Sequence, residues 1–442
     1  MTCAKALSAA AAFTCRAAVG AIERRRVGIA TGGLVLLLAS ASVLVARRAR
    51  GESDPQEEAA AEPDSISEAP ASVVSGPADL VTSVHGEFGA YTDSDAVRVV
   101  TPVLSGSVRS ISDGWAVNTS YLVDVVSAAS VDIVSTASRR WTETRHAITV
   151  EGDYKPSGID LGVGAAASRE PDYTSLAAGA NASVTSANKM ITPSIGYRYA
   201  HDTAGRTGTP FSVFSREVDR HTVSAGAEFI VDAGTLVWVG ADAVFEFGDQ
   251  ANPYRFLPIF APAVAARIPP GAGLALVNET RLPGRMEESL PGHRARLALS
   301  TRAAHRVGGV TMTVHERLYA DDWGLAATTT DFRLVLDVTR AISVSVHDRL
   351  HFQSRVSFWE RAYASSFQGD GTLDVPKFRT GDRELGPLSS ASLGAGIRCA
   401  LLGRPAWTLG FQGDAMITHF RDALYVLNRR AFIGVVDLEV EF

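Results

Sequence analysis

Short runs of alternating hydrophobic and polar residues recur along the chain from Leu80 to the C-terminus. The final run, FIGVVDLEVEF, has apolar residues at even positions from Phe432 to Phe442 and carboxylates at the odd positions 437, 439 and 441. A period of two predicts a β-strand, because successive side chains of a strand point to opposite faces. One face of this strand is apolar and the other is charged.

Sixteen such runs, each about 11 to 14 residues long, are bounded by turn residues. They cover residues 80–92, 97–110, 115–127, 143–154, 159–170, 174–186, 190–201, 220–231, 236–248, 293–305, 311–321, 327–338, 342–355, 388–401, 407–420 and 431–442. Each run is long enough to cross a bilayer as a tilted strand, which takes about 9 to 11 residues.

The connections between these runs alternate between short and long. The short ones begin near Ser112, Lys155, Ala187, Asp232, Val307, Thr339 and Leu402, and they contain Gly, Asn or Pro where a hairpin needs special backbone angles. The other set includes every long connection, at 128–142, 202–219, 249–292, 356–387 and 421–430.

This sorting of the connections favours a transmembrane barrel over a soluble β-sandwich. A sandwich has no reason to sort its loops, whereas outer-membrane barrels have short periplasmic turns and long extracellular loops. A closed barrel also leaves no unpaired strand edge in hydrocarbon. The sequence therefore predicts an all-β, antiparallel transmembrane β-barrel of about 16 strands within residues 79–442.

The polar faces of the strands predict a charged lumen. In the run 342–355, the charged and polar residues share the odd positions, and Asp348 is the one misfit on the apolar face. We predict that the following charged side chains line the lumen: Arg294, Arg296, Arg302, Arg333, His347, Arg349, His351, Asp437, Glu439 and Glu441. Such charges also have a purely structural interpretation, since they could pair across the wall and keep the lumen hydrated.

The first 78 residues differ in composition from the rest. Three arginines at 24–26 precede an uncharged apolar stretch at 27–46, and small residues near Ala39 and Ala46 provide cleavage sites of the kind that signal peptidase uses. Residues 1–49 are predicted to be a signal segment, with an N-terminal anchor as the alternative. Residues 50–78 are rich in Ala, Pro, Ser and acids, which predicts a disordered spacer.

Composition and charge exclude several classes of site. The net charge of −6 and the absence of a basic stripe argue against a nucleic-acid partner. Cys3 and Cys15 precede the apolar stretch, so Cys399 alone remains in the barrel and supports neither a disulfide nor a cysteine zinc site. His347 and His351 are about 13 Å apart along their strand, so they cannot bind one metal ion together. We predict no cofactor and no metal.

The closing strand resembles the assembly signal of bacterial outer-membrane barrels, which alternates hydrophobic residues and ends in an aromatic one. The matching residues are Phe432, Val436, Leu438, Val440 and Phe442. Segments at 123–145, 252–259 (NPYRFLPI), 317–324 (RLYADDWG), 358–363 (FWERAY) and 381–386 (GDRELG) resemble a family of outer-membrane proteins of unassigned function. The resemblance covers nearly all of 80–442. It implies a location in a Gram-negative outer membrane, contact with lipid and insertion by the barrel assembly machinery.

Three functions remain open on the sequence alone. The first is a porin-like channel for small polar solutes that is partly plugged by the long loops, above all by 249–292. The second is a non-conducting scaffold that docks a periplasmic partner or a surface component. The third is an outer-membrane hydrolase, because the rim of a barrel can carry Ser, His and Asp from different strands. No catalytic motif is present in a usable context, so we predict no enzyme.

Overall fold

The computed structural model describes residues 80–128, 141–369, 371, 373–401 and 405–442. The predicted signal segment 1–49 and the predicted spacer 50–78 lie outside the described residues. The strands are β1 (Leu80–Asp93), β2 (Val97–Ser110), β3 (Trp115–Ala128), β4 (Trp141–Tyr154), β5 (Ile159–Glu170), β6 (Tyr173–Val184), β7 (Ile191–Ala204), β8 (Arg216–Asp232), β9 (Thr235–Gly248), β10 (Phe256–Phe260), β11 (Arg281–Glu287), β12 (His293–Val307), β13 (Val310–Asp321), β14 (Ala326–Asp337), β15 (Ile342–Gln353), β16 (Tyr363–Ala364), β17 (Leu388–Leu401), β18 (Ala406–Phe420) and β19 (Asn428–Glu441).

Sixteen of the described strands close into one antiparallel barrel, which confirms the predicted fold. Each strand pairs with its neighbour along the chain, and β1 pairs with β19 to close the ring. In the closing pair Phe88 lies opposite Val436 and Val84 lies opposite Val440. The barrel therefore has no free strand edge among the described residues.

Alternation of side chains gives the barrel wall two different faces. The outer face exposes large apolar residues such as Phe88, Leu104, Ile195 and Leu393. Most of the charged strand residues point into the barrel and are buried or half-buried, whereas a few, such as Asp219, Glu316 and Asp348, point outward. In the described part of the chain, no helix is long and apolar enough to cross a membrane.

The described long connections lie at one end of the barrel and contain further structure, whereas residues 129–140 of the predicted connection 128–142 lie outside the described residues. They hold two short helices, α1 (Pro262–Ala265) and α2 (Leu274–Thr280), and a 3₁₀ turn at Arg383–Leu385. They also hold β10, β11 and β16, which form a separate three-stranded sheet in the order β11-β10-β16. The sequence indicates none of these elements, because no run of regular period marks them.

Candidate functional site: a charged lumen beneath a folded cap

Half of the inner wall is mainly acidic. The inner face of β18, β19 and β1–β6, called the acidic wall below, carries the carboxylates of Asp414, Asp437, Glu439, Glu441, Glu87, Asp93, Asp124, Glu143, Glu151, Asp153, Asp160 and Glu170. Among the described residues of this half, the inward arginines are Arg109, Arg145 and Arg429. Twelve carboxylates against three arginines leave an excess of nine negative charges.

The other half of the inner wall is mainly basic. The inner face of β7–β9, β12–β15 and β17, called the basic wall, carries Arg198, Arg216, Arg220, Arg294, Arg296, Arg302, Arg306, Arg317, Arg333, Arg349 and Arg398. Its inward carboxylates in the described chain are Asp202, Glu228, Asp242, Glu246, Asp321, Asp331 and Asp337. Eleven arginines against seven carboxylates leave an excess of four positive charges, so an electric field crosses the lumen from wall to wall.

Glycines on the inner face let neighbouring charged side chains lie along the wall. A methyl group at Gly162 would lie 2.8 Å from the Asp153 carboxylate. A methyl group at Gly410 would overlap the Asp437 carboxylate. Each carboxylate therefore occupies the space above a glycine in the wall, which holds it away from the centre of the lumen.

Arg294 and Arg296 belong to a buried ion-pair network at the long-loop end. The Nε of Arg294 donates to Asp321 at 2.9 Å, and Arg296 pairs with Glu246. Arg220 donates to the same Glu246 at 2.8 Å. Because their side chains are no more than 2% exposed, Arg294 and Arg296 join neighbouring strands of the barrel wall instead of facing a passage.

Arg302 and Arg349 are predicted lining residues that are less buried than Arg294 and Arg296. Both lie on the inner face of the basic wall, both are half-buried, and neither forms an ion pair within the described residues. Asp331 lies between them in the strand register, opposite Arg349 on one side and opposite His315, the partner of Arg302, on the other. A mobile anion or the negative end of a solute could approach either guanidinium.

The remaining predicted lining residues also lie on the inner face. Arg333 points inward from β14. His347 pairs with Asp414 across two strands, and Nδ1 of His351 lies 2.7 Å from the Thr329 hydroxyl. In β19, Asp437 lies 4.0 Å from His85 and Glu441 lies 3.3 Å from Arg109, while Glu439 is half-buried on the same face.

The four longest described connections fold together into one unit at the end of the barrel. We call this unit the cap, and it consists of the described residues of 205–215, 249–292, 354–387 and 421–427. Its sheet joins β10 to β16 in parallel, with Ile259 opposite Tyr363. Its apolar core contains Phe260, Ala265, Ile268, Ala272 and Val277, and Leu424 and Tyr425 pack against it.

Ionic and hydrogen-bonded contacts tie the cap to separate parts of the barrel rim. Arg383 pairs at 2.7 Å with Asp95, which lies between β1 and β2. Glu384 accepts a hydrogen bond from Arg429 of β19 at 2.9 Å. On another side, Asp172 between β5 and β6 accepts a hydrogen bond from Thr207 of the cap at 3.0 Å. The cap therefore spans the mouth of the barrel.

Trp359 is the main apolar anchor between the cap and the inner wall. It is 1% exposed and belongs to a cluster with Ala298, Tyr319, Trp323, Leu325, Ala327, Val356 and Leu385. Three of these, Ala298, Tyr319 and Ala327, point inward from β12, β13 and β14. The indole N–H of Trp359 donates to the Asp382 carbonyl at 2.8 Å. The cap thus inserts an aromatic side chain into the barrel.

Two tyrosine hydroxyls are buried within the cap contacts. Burial, reinforced by a hydrogen bond to Asp172, raises the pKa of Tyr254 above its usual value. Burial also raises the pKa of Tyr363, whose hydroxyl donates to the Phe358 carbonyl at 2.6 Å and accepts from the Thr380 N–H at 2.9 Å. Both hydroxyls therefore stay protonated at neutral pH and act as donors.

Three buried carboxylates at the rim could in principle hold a cation. Oxygen atoms of Glu143, Glu170 and Asp172 lie within 4.8 Å of one another, and oxygen-rich sites of this kind suit Ca²⁺ or Mg²⁺. Sequence reasoning missed this group, because its members come from β4, β5 and the following turn, and no local spacing joins them. Asp172 also bonds to the cap, which gives the group a structural role.

The residues that resemble an assembly signal lie on the outer face of β19. Phe432, Val436, Leu438 and the terminal Phe442 are exposed there. Val440 has the same orientation but is only 9% exposed, and it lies opposite Val84 and Trp407 of the flanking strands. The strand thus presents an apolar stripe outward, and its carboxylates point inward.

A closed antiparallel barrel with an apolar exterior, a charged interior and long connections at one end is the architecture of outer-membrane β-barrel proteins. The family described as "Protein of unknown function (DUF3570)" matches residues 136–412, more than half of the chain, and the chain belongs to that family. No curated protein matches the chain.

Several solved structures resemble the chain at the level of the fold. The outer membrane protein opdK from Pseudomonas aeruginosa is 7% identical, over 83% of this chain and 99% of its own length, with a TM-score of 0.39. CdiB from Acinetobacter baumannii is 7% identical, over 82% and 60%, with a TM-score of 0.44. The siderophore receptor PirA from Pseudomonas aeruginosa is 10% identical, over 77% and 56%, with a TM-score of 0.37. The chain spans about half the length of the siderophore receptors that it matches.

Proposed function

We propose that the protein is an outer-membrane channel for small polar solutes whose extracellular mouth is closed by the cap. The apolar exterior and the closed ring of strands support a location in a bilayer, since a sheet survives in hydrocarbon only when every backbone group is paired. The long connections and the cap then lie on the extracellular side, and the short turns lie in the periplasm.

The observation that carries this proposal is the arrangement of charges along the two inner walls. Carboxylates such as Asp153 and Asp437 lie over wall glycines and so along the wall, and a barrel of 16 strands is wide enough to enclose an aqueous channel. The acidic and basic walls face each other, so a solute inside experiences a transverse field. Such a field favours solutes that carry both a positive and a negative group, because they can orient along it.

Transport requires the cap to open. Its contacts with the rim at Asp95, Asp172 and Arg429, and with the inner wall through Trp359, cover the mouth. Solutes therefore pass when these contacts open, and the conductance of the intact protein should be low and intermittent. The barrel assembly machinery is proposed to insert the protein through its terminal strand β19 and the adjoining Phe442.

Planar-bilayer recording of the purified full-length protein tests the channel. We expect brief openings for the wild type and longer openings when residues 249–292 are replaced by a short linker. Trp359→Ala provides a second way to open the cap if the replacement fails to fold. Silence in all three proteins, with barrels that remain folded, would refute the channel.

Ion selectivity tests the role of the basic wall. Replacing Arg302 and Arg349 by alanine should shift the reversal potential in a salt gradient toward cation selectivity, because two accessible positive charges are lost. Glu439→Gln on the acidic wall is the matched control and should shift it in the opposite direction. Equal reversal potentials in all variants would show that ions do not pass close to the charges of these walls.

The cap also favours a second candidate function. A folded unit with its own apolar core, tied to the rim on several sides, presents a rigid outward surface that could dock another protein or a surface component. In that case the barrel serves as a scaffold. Silent recordings together with capture of the protein by an extracellular partner, lost on replacement of 249–292, would select this function.

A further inference from the structure

The outward charges of the barrel wall fall into two sectors. On the strands from β8 to β15 they include four carboxylates, which are Glu217, Asp219, Glu316 and Asp348. On the other strands, from β17 through β1 to β7, every carboxylate of the described residues points inward. The outward charges of this second sector, called the arginine sector below, come from Arg98, Arg169 and Arg430.

The three outward arginines lie at the same end of the barrel. Each is exposed and lies within two residues of the long-loop end of its strand. None of them forms an ion pair or a side-chain hydrogen bond within the described part of the chain. An outward arginine is costly at the middle of a bilayer and is tolerated near its surface, where the guanidinium reaches headgroups. The arginine sector therefore presents positive charge to the headgroups of one leaflet.

An apolar groove lies in the outer wall beneath Arg169, on the side toward the middle of the barrel. Its volume is about 430 Å³, which is within the range of small-molecule sites. Its floor consists of Ala165 and Ala167 of β5 and Ala178 of β6. Ala167 lies two residues before Arg169 on the same outward face, so the charged group stands over one end of the groove.

Larger apolar side chains form the two walls of the groove. Ile148 and Val150 of β4 lie on one side, and Leu176 of β6 and Tyr199 of β7 lie on the other. All four are exposed on the outer face of the barrel. A flexible hydrocarbon chain is the ligand that suits such a groove, because the walls offer dispersion contacts along its length.

Polar groups flank Arg169 at the mouth of the groove. In strand register Arg169 lies between His146 of β4 and Thr174 of β6, which also point outward. Nδ1 of His146 lies 2.7 Å from the Tyr121 hydroxyl, which fixes the position of the ring. The imidazole and the Thr174 hydroxyl can donate hydrogen bonds to an anion that is held by Arg169.

The outward carboxylates on β8 lie beyond the far wall of the groove. Asp219 accepts a hydrogen bond from the Tyr199 hydroxyl at 2.5 Å and lies 2.9 Å from Nδ1 of His201. Both of these partners line the groove, so Asp219 supports its wall. Glu217 lies on the same strand, and β6 and β7 separate that strand from Arg169. The β5 side of the mouth is therefore positive.

We propose that the groove and Arg169 bind an acylated, phosphorylated lipid of the extracellular leaflet. The guanidinium donates two parallel hydrogen bonds to the phosphate, and one acyl chain fills the groove. Arg98 and Arg430 attract further anionic headgroups to the same sector. This inference rests on the proposed orientation of the barrel in an outer membrane, and it is independent of whether the lumen conducts.

Native mass spectrometry of the full-length protein in mild detergent tests the headgroup contact. The probe is lipid A, an acylated disaccharide with phosphate groups, and its dephosphorylated form is the comparison. The wild type should retain the phosphorylated lipid and release the other. Arg169→Ala should weaken binding at least tenfold, which corresponds to about 1.4 kcal/mol. Arg169→Lys should weaken it less, because it keeps the charge and loses the paired donors.

A second variant tests the groove itself. Ala167→Leu fills the floor and keeps the outer face apolar, so it should weaken lipid binding at least tenfold without destabilising the barrel. Ala225→Leu, at an exposed outward position of β8, is its matched control. Arg340→Ala, at an exposed arginine in a short turn at the opposite end, is the control for Arg169→Ala. Both controls should bind the lipid as the wild type does.

Three outcomes would overturn the lipid site. Equal binding by the wild type, Arg169→Ala and Ala167→Leu would show that lipid coats the barrel without a defined site. Equal binding of the dephosphorylated lipid would remove the role of Arg169. Displacement of the lipid by an equal concentration of inorganic phosphate would show a site for free anions. Bilayer recordings of the same samples keep the proposals apart, since a conducting barrel that binds no lipid overturns the lipid site alone.

Discussion

Replacing Trp359 by alanine should detach the cap without unfolding the barrel. Trp359 is almost fully buried among Tyr319, Trp323 and other apolar side chains, and its indole N–H bonds to the Asp382 carbonyl. Truncation of a buried Trp to Ala costs about 3 to 5 kcal/mol, which includes the cavity that is left. A loss of about 4 kcal/mol raises the population of the open cap about a thousandfold.

Amide hydrogen exchange of the cap measures this population directly. In the variant, amides around Thr380 and Leu385 should lose protection by about a thousandfold, since exchange follows the free energy of local opening. Amides in the middle of β5 and β6 should keep their protection, because these strands pair only with barrel neighbours. Open events in bilayer recordings should lengthen in parallel.

Phe367→Ala is the matched control for this experiment. Phe367 belongs to the same connection and is half exposed, so its removal should change cap protection little. Equal protection in Trp359→Ala and in the wild type would show that the aromatic anchor does not hold the cap. Loss of the barrel in Trp359→Ala would show that cap and barrel unfold as one unit, which would refute a cap that opens by itself.

Three further predictions concern assembly, the buried network and pH. Replacing Phe442 by Glu should reduce surface levels of the protein, whereas Glu441→Gln should not, because the outward stripe is proposed to be read during insertion; equal levels on cell fractionation would contradict this. Arg296→Ala should lower the free energy of unfolding by about 3 to 5 kcal/mol, as it leaves Glu246 buried without one partner, and should leave ion selectivity unchanged in bilayers. The raised pKa of Tyr254 stabilises the cap fully below about pH 10, the usual pKa of tyrosine, and this stabilisation is lost as the pH rises through the raised value. Proteolysis of the cap should therefore accelerate only in strong alkali, and Tyr254→Phe should abolish this step.

The sequence by itself determined the strands, the order of the barrel and the two faces of its wall. The predicted strands at 97–110, 159–170 and 388–401 have the observed bounds, and β8 and β19 begin four and three residues earlier than predicted. The strands could be predicted because the signal for each one lies within its own residues. A strand between lipid and a polar lumen must alternate at every residue, so each run carries its own signal.

The tertiary structure alone decided the cap. β10 pairs with β16 about 100 residues further along the chain, and Arg383 meets Asp95, which belongs to the first connection of the barrel. These contacts have no period and no fixed spacing, because they form between connections that the barrel brings together. The predicted plug at 249–292 was therefore only one part of a unit that needs three other connections.

The tertiary structure alone also decided the roles of single charges in the lumen. Arg296 and Arg302 occupy equivalent positions of one alternating strand, and the sequence cannot distinguish them. Arg296 lies beside Glu246 at the buried end of the barrel, whereas Arg302 has no ion pair among the described residues. Alternation fixes which face a side chain occupies, but the neighbours on that face depend on strand register and on the loops above it.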